Sequence, residues 1–266
     1  MRRSELSEFS YGFGLTNELV GKLTLRAAPI FPNLVEEGRP GGGYDVLMKR
    51  RGVPLYIQFK LSEYMRSLNA KPAKCIINGG FPIAKHFYRF ALMKTLRSRQ
   101  HQMLYKLDRG KNEVLYAAPK FHTLFDMNKY WRNNTIEEES VLVSPRSIGR
   151  IRDNNLHHVA FDNQPHAYFC SEAKKVTTTT FDKLGDCLSL RLNEQTSPLS
   201  ESLIEHLASA RQALTAGGDG DLSAGKSLKQ EPEKAGHQSP RAMLKELATL
   251  ASRDFNAQLV IIQPKE

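Results

Sequence analysis

Apolar positions along this chain of 266 residues recur at two different periods, and the period changes from block to block. From Ser7 to Leu25, the residues Phe9, Phe13, Leu15, Leu19, Val20 and Leu23 fall mostly at helical spacing with Glu18 among them, which predicts a first helix. Pro29 and Pro32 are expected to end regular structure, and Glu36 to Gly43 reads as a loop. Tyr44 to Met48 then alternates as a strand, Arg50 to Pro54 supplies a turn, and Leu55 to Leu61 reads as a second strand. In that second strand Leu55, Ile57, Phe59 and Leu61 point one way, while Tyr56, Gln58 and Lys60 share the opposite face.

Further on the pattern is less regular. Ser62 to Ala73 is too polar for a definite element, with room for a loop or short helix. His86 to Leu107 reads as one long helix, Glu113 to Pro119 as a compact buried strand, and Phe125 to Trp131 as helical. Short strands are expected at Val141–Val143, His158–Phe161 and Ala167–Cys170, then a helix near Leu199 to Leu214. Thr215 to Pro240 nearly lacks large apolar residues and reads as a flexible linker. A helix over Arg241 to Arg253 and a strand over Ala257 to Gln263 close the chain. The expected architecture is therefore α/β, a mixed central sheet flanked by helices over residues 1–210. A linker at 211–240 and a C-terminal extension at 241–266 follow.

Composition adds a location for charge. Residues 1–130 hold 22 Lys+Arg against 10 Asp+Glu, a balance of +12, whereas the remaining residues hold 16 against 18, a balance of −2. An excess of that sign is the footprint of a polyphosphate partner, because neutralising phosphates releases counterions. No apolar run approaches the roughly 18 residues a membrane span needs, so no membrane partner is expected. The basic start, Met1-Arg2-Arg3, leads into no apolar signal segment, and the three widely spaced cysteines Cys75, Cys170 and Cys187 suit a reducing compartment, so a cytoplasmic setting is expected.

The candidate chemistry lies in that basic half. Gly41-Gly42-Gly43-Tyr44-Asp45 precedes Gln58-Phe59-Lys60, placing an acid on one expected strand and Gln-x-Lys on the next. Phosphodiester hydrolysis needs an activated water and charge stabilisation, which Mg²⁺ held by oxygen ligands supplies. Asp45 would be the chief ligand, Glu18 or Glu37 a second carboxylate, and the Gln58 side-chain oxygen or the Phe59 carbonyl a further one. Lys60 would orient or deprotonate the attacking water, and Gly42 and Gly43 would let a nucleic-acid backbone approach closely. Arg99, Gln100 and His101, on the expected long helix, would line a phosphate channel, or else form an ordinary polar face. His157, His158, Asp162 and His166 lack the spacing of a metal site, and Ser171 has no recognisable hydrolase setting.

At Gly42-Gly43-Tyr44-Asp45 and Gln58-Phe59-Lys60 the chain resembles the PD-(D/E)xK nuclease superfamily, in the branch similar to Mrr-type restriction endonucleases, where Gln replaces the usual acid of the second strand. The resemblance covers roughly residues 5–120. It implies a restriction-endonuclease-like core and Mg²⁺- or Mn²⁺-dependent cleavage of DNA in bacterial defence, with Asp45, Gln58 and Lys60 in the site and Glu18 as a looser match to a helical acid. RNA cleavage is a further option. The alternative is a non-catalytic nucleic-acid-binding or assembly subunit that works with a protein partner. Cutting both strands would favour a homodimer.

Overall fold

The computed structural model describes residues 1–31, 46–94, 97–215 and 238–265. In chain order these form α1 (Glu8–Lys22), β1 (Arg26–Ile30), β2 (Val53–Phe59), β3 (Glu63–Met65), α2 (Lys71–Asn78), β4 (Phe87–Leu92), α3 (Gln100–Leu107), β5 (Glu113–Pro119), α4 (Leu124–Asn133), β6 (Ser140–Val143), α5 (Pro145–Ile148), β7 (His157–Phe161), β8 (His166–Phe169), β9 (Lys174–Thr179), α6 (Phe181–Glu194), α7 (Leu199–Thr215), α8 (Pro240–Arg253) and β10 (Gln258–Gln263). The strands join in one mixed sheet ordered β1-β10-β2-β5-β6-β9-β8-β7-β4-β3. β2 and β5 run parallel, Ile57 facing Leu115, while β10 is antiparallel to both of its neighbours.

The sheet curls about β9, which pairs with β6 on one side and β8 on the other. Its concave face therefore closes on one core: Tyr56 and Tyr116 from one half and Phe90, Phe161 and Phe169 from the other pack with α3, α7 and α8. Behind the first half, Leu55, Ile57 and Leu115 pack against α1 and α6. Behind the second, Phe87 and Tyr168 pack against Ala73 and Ile76 of α2. The expected split of β2 holds, with Leu55, Ile57 and Phe59 towards α1 and Tyr56 in the concave core.

Several elements differ from the expectation. The helix expected from His86 to Leu107 is strand β4 followed by the shorter α3. Phe87, Phe90 and Leu92 satisfy a helical spacing too, but aromatic residues also suit a pleated, half-buried surface, and pairing with β7 and β3 secures the extended form. Pro29 does not end structure; it lies within β1, an edge strand paired only with β10, where a missing N–H is tolerated. Residues 46 and 47 have no regular structure and 48–50 form a turn, so this described part of the expected strand Tyr44–Met48 is not one.

The C-terminal helix and strand, expected as an extension, lie inside the fold. β10 separates β1 from β2 and is buried on both faces, Leu259 and Ile261 in the concave core and Val260 and Ile262 in the core under α1. A run of four consecutive apolar residues is what a doubly covered strand requires.

Candidate functional site at the end of strand β2

Lys60 follows the last residue of β2, and its N–H donates to the Ala117 carbonyl at 2.8 Å, so it stands at the C-terminal end of two parallel strands. Its Nζ lies 5.8 Å from the centroid of the Tyr116 ring. The side chain is half-buried, and burial pulls the amine below the usual lysine range, with the Glu8 carboxylate opposing that shift. No ion pair to Lys60 is formed among the described residues.

Gln58, two residues earlier on the same face, is fully buried. Its Nε2 donates to the carbonyls of Phe255 and Asn256 at 3.3 and 3.4 Å, which fixes the orientation of the amide because only the nitrogen can donate. The Oε1 consequently points away from those carbonyls, buried and, among the described residues, without a hydrogen-bond partner. Gln100 joins the same cluster by donating from Nε2 to the Phe255 carbonyl at 2.9 Å.

His101 has a different role from a phosphate contact. It is buried, and its Nε2 lies 2.8 Å from the Gly149 carbonyl, so the ring proton sits there. Its Nδ1 then accepts from the Tyr116 hydroxyl at 2.9 Å. Burial pushes the imidazole down to about 4, leaving a neutral ring that braces α3 against β5. Arg99 is exposed at the N-cap of α3.

Glu18 is not brought to this site. It lies on α1, which packs behind the sheet on the face opposite Tyr56, Gln58 and Lys60. Its carboxylate is buried, accepts the N–H groups of Ile136 and Glu137 at 2.7 and 2.9 Å, and pairs with Lys22 at 3.2 Å. Asp45, Glu37, Gly42 and Gly43 lie outside the described residues. The antiparallel neighbour of β2 is β10, and its parallel neighbour is β5. Leu47 is clamped by the amide of Gln263, which accepts its N–H at 2.8 Å and donates to its carbonyl at 2.9 Å. Gln263 also reaches the Arg51 carbonyl, so Leu47 sits at the start of β2, and the strand's length, roughly 20 Å at about 3.3 Å per residue, separates that end from Lys60.

No three His, Cys, Asp or Glu side chains gather in a metal-holding group among the described residues. Mg²⁺ is normally held by carboxylate oxygens, and of the described side chains expected as its ligands only Gln58 offers an oxygen here, the neutral Oε1, because Glu18 lies on the opposite face. The described donors alone do not fit that ion.

Two features escaped the sequence reading. Ser171 does have a base beside it: its Oγ lies 2.7 Å from His157 Nδ1, and His157 Nε2 lies 2.6 Å from Asp153 Oδ1. Continuing the β7–β8 register, in which Val159 faces Phe169, places those residues opposite one another. The second is a cavity of about 570 Å³ beside Phe59, between α1, the end of β1 and the α8–β10 junction. Its signal was present in α1, where Phe9, Phe13 and Val20 do not share the face that buries Tyr11, Leu15 and Leu19.

Among the described residues no helix is long and apolar enough to cross a membrane. Compared with known proteins, the chain matches no family model, no curated sequence and no solved structure.

Proposed function

We propose that this protein is a nucleic-acid phosphodiesterase of the nuclease type, acting on DNA, whose phosphodiester is received at the C-terminal end of β2. One observation carries the reading: among the described residues, an amine without a carboxylate ion-pair partner stands two residues from a buried amide oxygen without a donor. Buried polar groups are ordinarily satisfied, so such a pair marks a place prepared for something else. Ligands of parallel strands characteristically bind beyond their carboxyl ends, where Lys60 stands. The +12 balance of residues 1–130 supplies the long-range attraction.

In this reading Lys60 binds a phosphate oxygen and offsets charge developing on phosphorus, and Gln58 Oε1 orients an incoming hydroxyl or water. A metal, where one participates, would need carboxylates beyond the described residues. A non-catalytic nucleic-acid-binding subunit is the second reading, favoured by the engagement of Glu18 with backbone N–H groups.

The test is incubation of the purified chain with single- and double-stranded DNA and RNA, with Mg²⁺, Mn²⁺ or EDTA. Cleavage that is abolished by Lys60→Ala and by Asp45→Ala supports the enzyme. Binding without cleavage, weakened by Lys60→Ala with a shallower salt dependence, supports the subunit. Neither cleavage nor binding overturns both.

A further inference from the structure

The cavity beside Phe59 has aromatic walls and a polar edge. Phe9, Phe13, Phe31 and Phe59 line it, with Asn17 and Asn256 at its polar edge. Phe9 and Phe13 are 80% and 58% exposed, an unusual display for residues that could have joined the core one helical face away. Its volume of about 570 Å³ lies within the range of small-molecule sites. Asn17 and Asn256 are exposed, and their side-chain amides donate to and accept from no described residue.

The cavity is also coupled to the site at the end of β2. Phe59 adjoins Lys60 in sequence on the opposite face of the strand. Asn256, in the cavity wall, lends its carbonyl to Gln58 Nε2. Glu8, also in the wall, is the carboxylate whose field acts on Lys60. A ligand seated among the phenylalanines therefore lies next to the proposed phosphate position, not at a remote surface.

From these observations we infer that the cavity takes one unstacked nucleobase of a single-stranded nucleic acid, with the adjoining phosphate directed to Lys60. This deepens the function proposed above and rests on it. Flat aromatic rings match the π-face of any base, and amide groups match the donor and acceptor edges that a base exposes when unpaired. A purely aliphatic ligand would leave those amides desolvated and unpaired. A paired base in an intact duplex keeps its face stacked and its pairing edge occupied, so the preferred substrate is single-stranded or locally opened.

The test uses the full chain, a short single-stranded DNA carrying one 2-aminopurine, and free 2-aminopurine riboside, whose fluorescence falls on stacking. Wild-type protein is expected to quench both probes and to bind the single strand more tightly than the matching duplex. Phe13→Ala is expected to weaken single-strand binding by roughly 5- to 150-fold, the range for losing one base–aromatic stack. Because Phe13 also stacks on Trp131 at 5.6 Å, Ser252→Trp provides a second variant that fills the cavity from an exposed position on α8. Both variants should keep the wild-type melting transition and lose the quenching. Lys60→Ala should weaken binding while any bound oligonucleotide remains quenched. Oligonucleotide that binds with unchanged fluorescence overturns the base pocket and leaves the phosphate site standing. If no oligonucleotide binds, the proposed function fails, and the riboside decides the pocket alone: quenching lost in Ser252→Trp supports it, and no quenching overturns it.

Discussion

Replacing Glu18 separates a structural carboxylate from a catalytic one. The side chain is 2% exposed, and its two oxygens accept the adjacent N–H groups of Ile136 and Glu137 while Lys22 pairs with it from the next turn. Glu18→Ala leaves two backbone donors without their acceptor in a largely buried setting. At about 1–3 kcal/mol for each unsatisfied group, with partial relief from entering water, a loss of roughly 3 kcal/mol is expected. Glu18→Gln keeps the shape but turns one acceptor into an NH₂ group facing an N–H, so it should recover only part of that loss. For a chain of this size roughly 2–4 °C accompanies each kcal/mol, which puts the Glu18→Ala melting point roughly 6–12 °C below wild type. The assay is urea denaturation together with nucleic-acid binding and cleavage, both normalised to folded protein. The expected outcome is lower stability with binding and any cleavage retained at a temperature where the variant is folded. Unchanged stability with loss of cleavage would refute the backbone-bracing role and return Glu18 to the reacting site.

Three further outcomes follow from the same geometry. His206 is buried, with Nδ1 3.1 Å from Asn112 Oδ1 and Nε2 without a partner among the described residues, and burial pushes its imidazole down to about 4. The unfolded chain therefore takes up the proton first as pH falls below about 6.5, so this stability is present above that pH and disappears towards pH 4. His206→Asn should accordingly lose less stability than wild type between pH 7 and pH 4.5, by up to ~2.5 kcal/mol in paired urea titrations, and equal losses would refute it. A fragment of residues 1–215 lacks β10 and bares the facing edges of β1 and β2; it should show no cooperative melting, whereas a retained transition would mean that the C-terminal piece is dispensable. Lys60→Met should leave the melting point unchanged or higher, since it relieves a half-buried amine, while reducing DNA affinity; a marked loss of stability would make Lys60 structural.

The sequence by itself determined the local elements whose pattern has one physical solution. β5 is buried along its length and apolar after Glu113 because both of its faces are covered, and the alternation in β2 divides Leu55, Ile57 and Phe59 from Tyr56, Gln58 and Lys60 as expected. α8 and β10 were likewise legible from the apolar periodicity of their residues. His86 to Leu107 was not, since the aromatic spacing there suits both a helix and a strand until a pairing partner exists.

Only the tertiary structure decided what these elements are next to, because pairing and packing join residues far apart in sequence. The order β1-β10-β2 brings a strand from the end of the chain to the antiparallel side of β2. The choice of sheet face sent Glu18 to the backbone of residues 136 and 137 and left Gln58 and Lys60 on the other side. A side chain's chemistry is written in its residue type, but whether its oxygen meets a backbone N–H or a space left for a ligand depends on what the rest of the chain brings to it. Glu18 found two donors; Gln58 Oε1, equally buried, found none among the described residues.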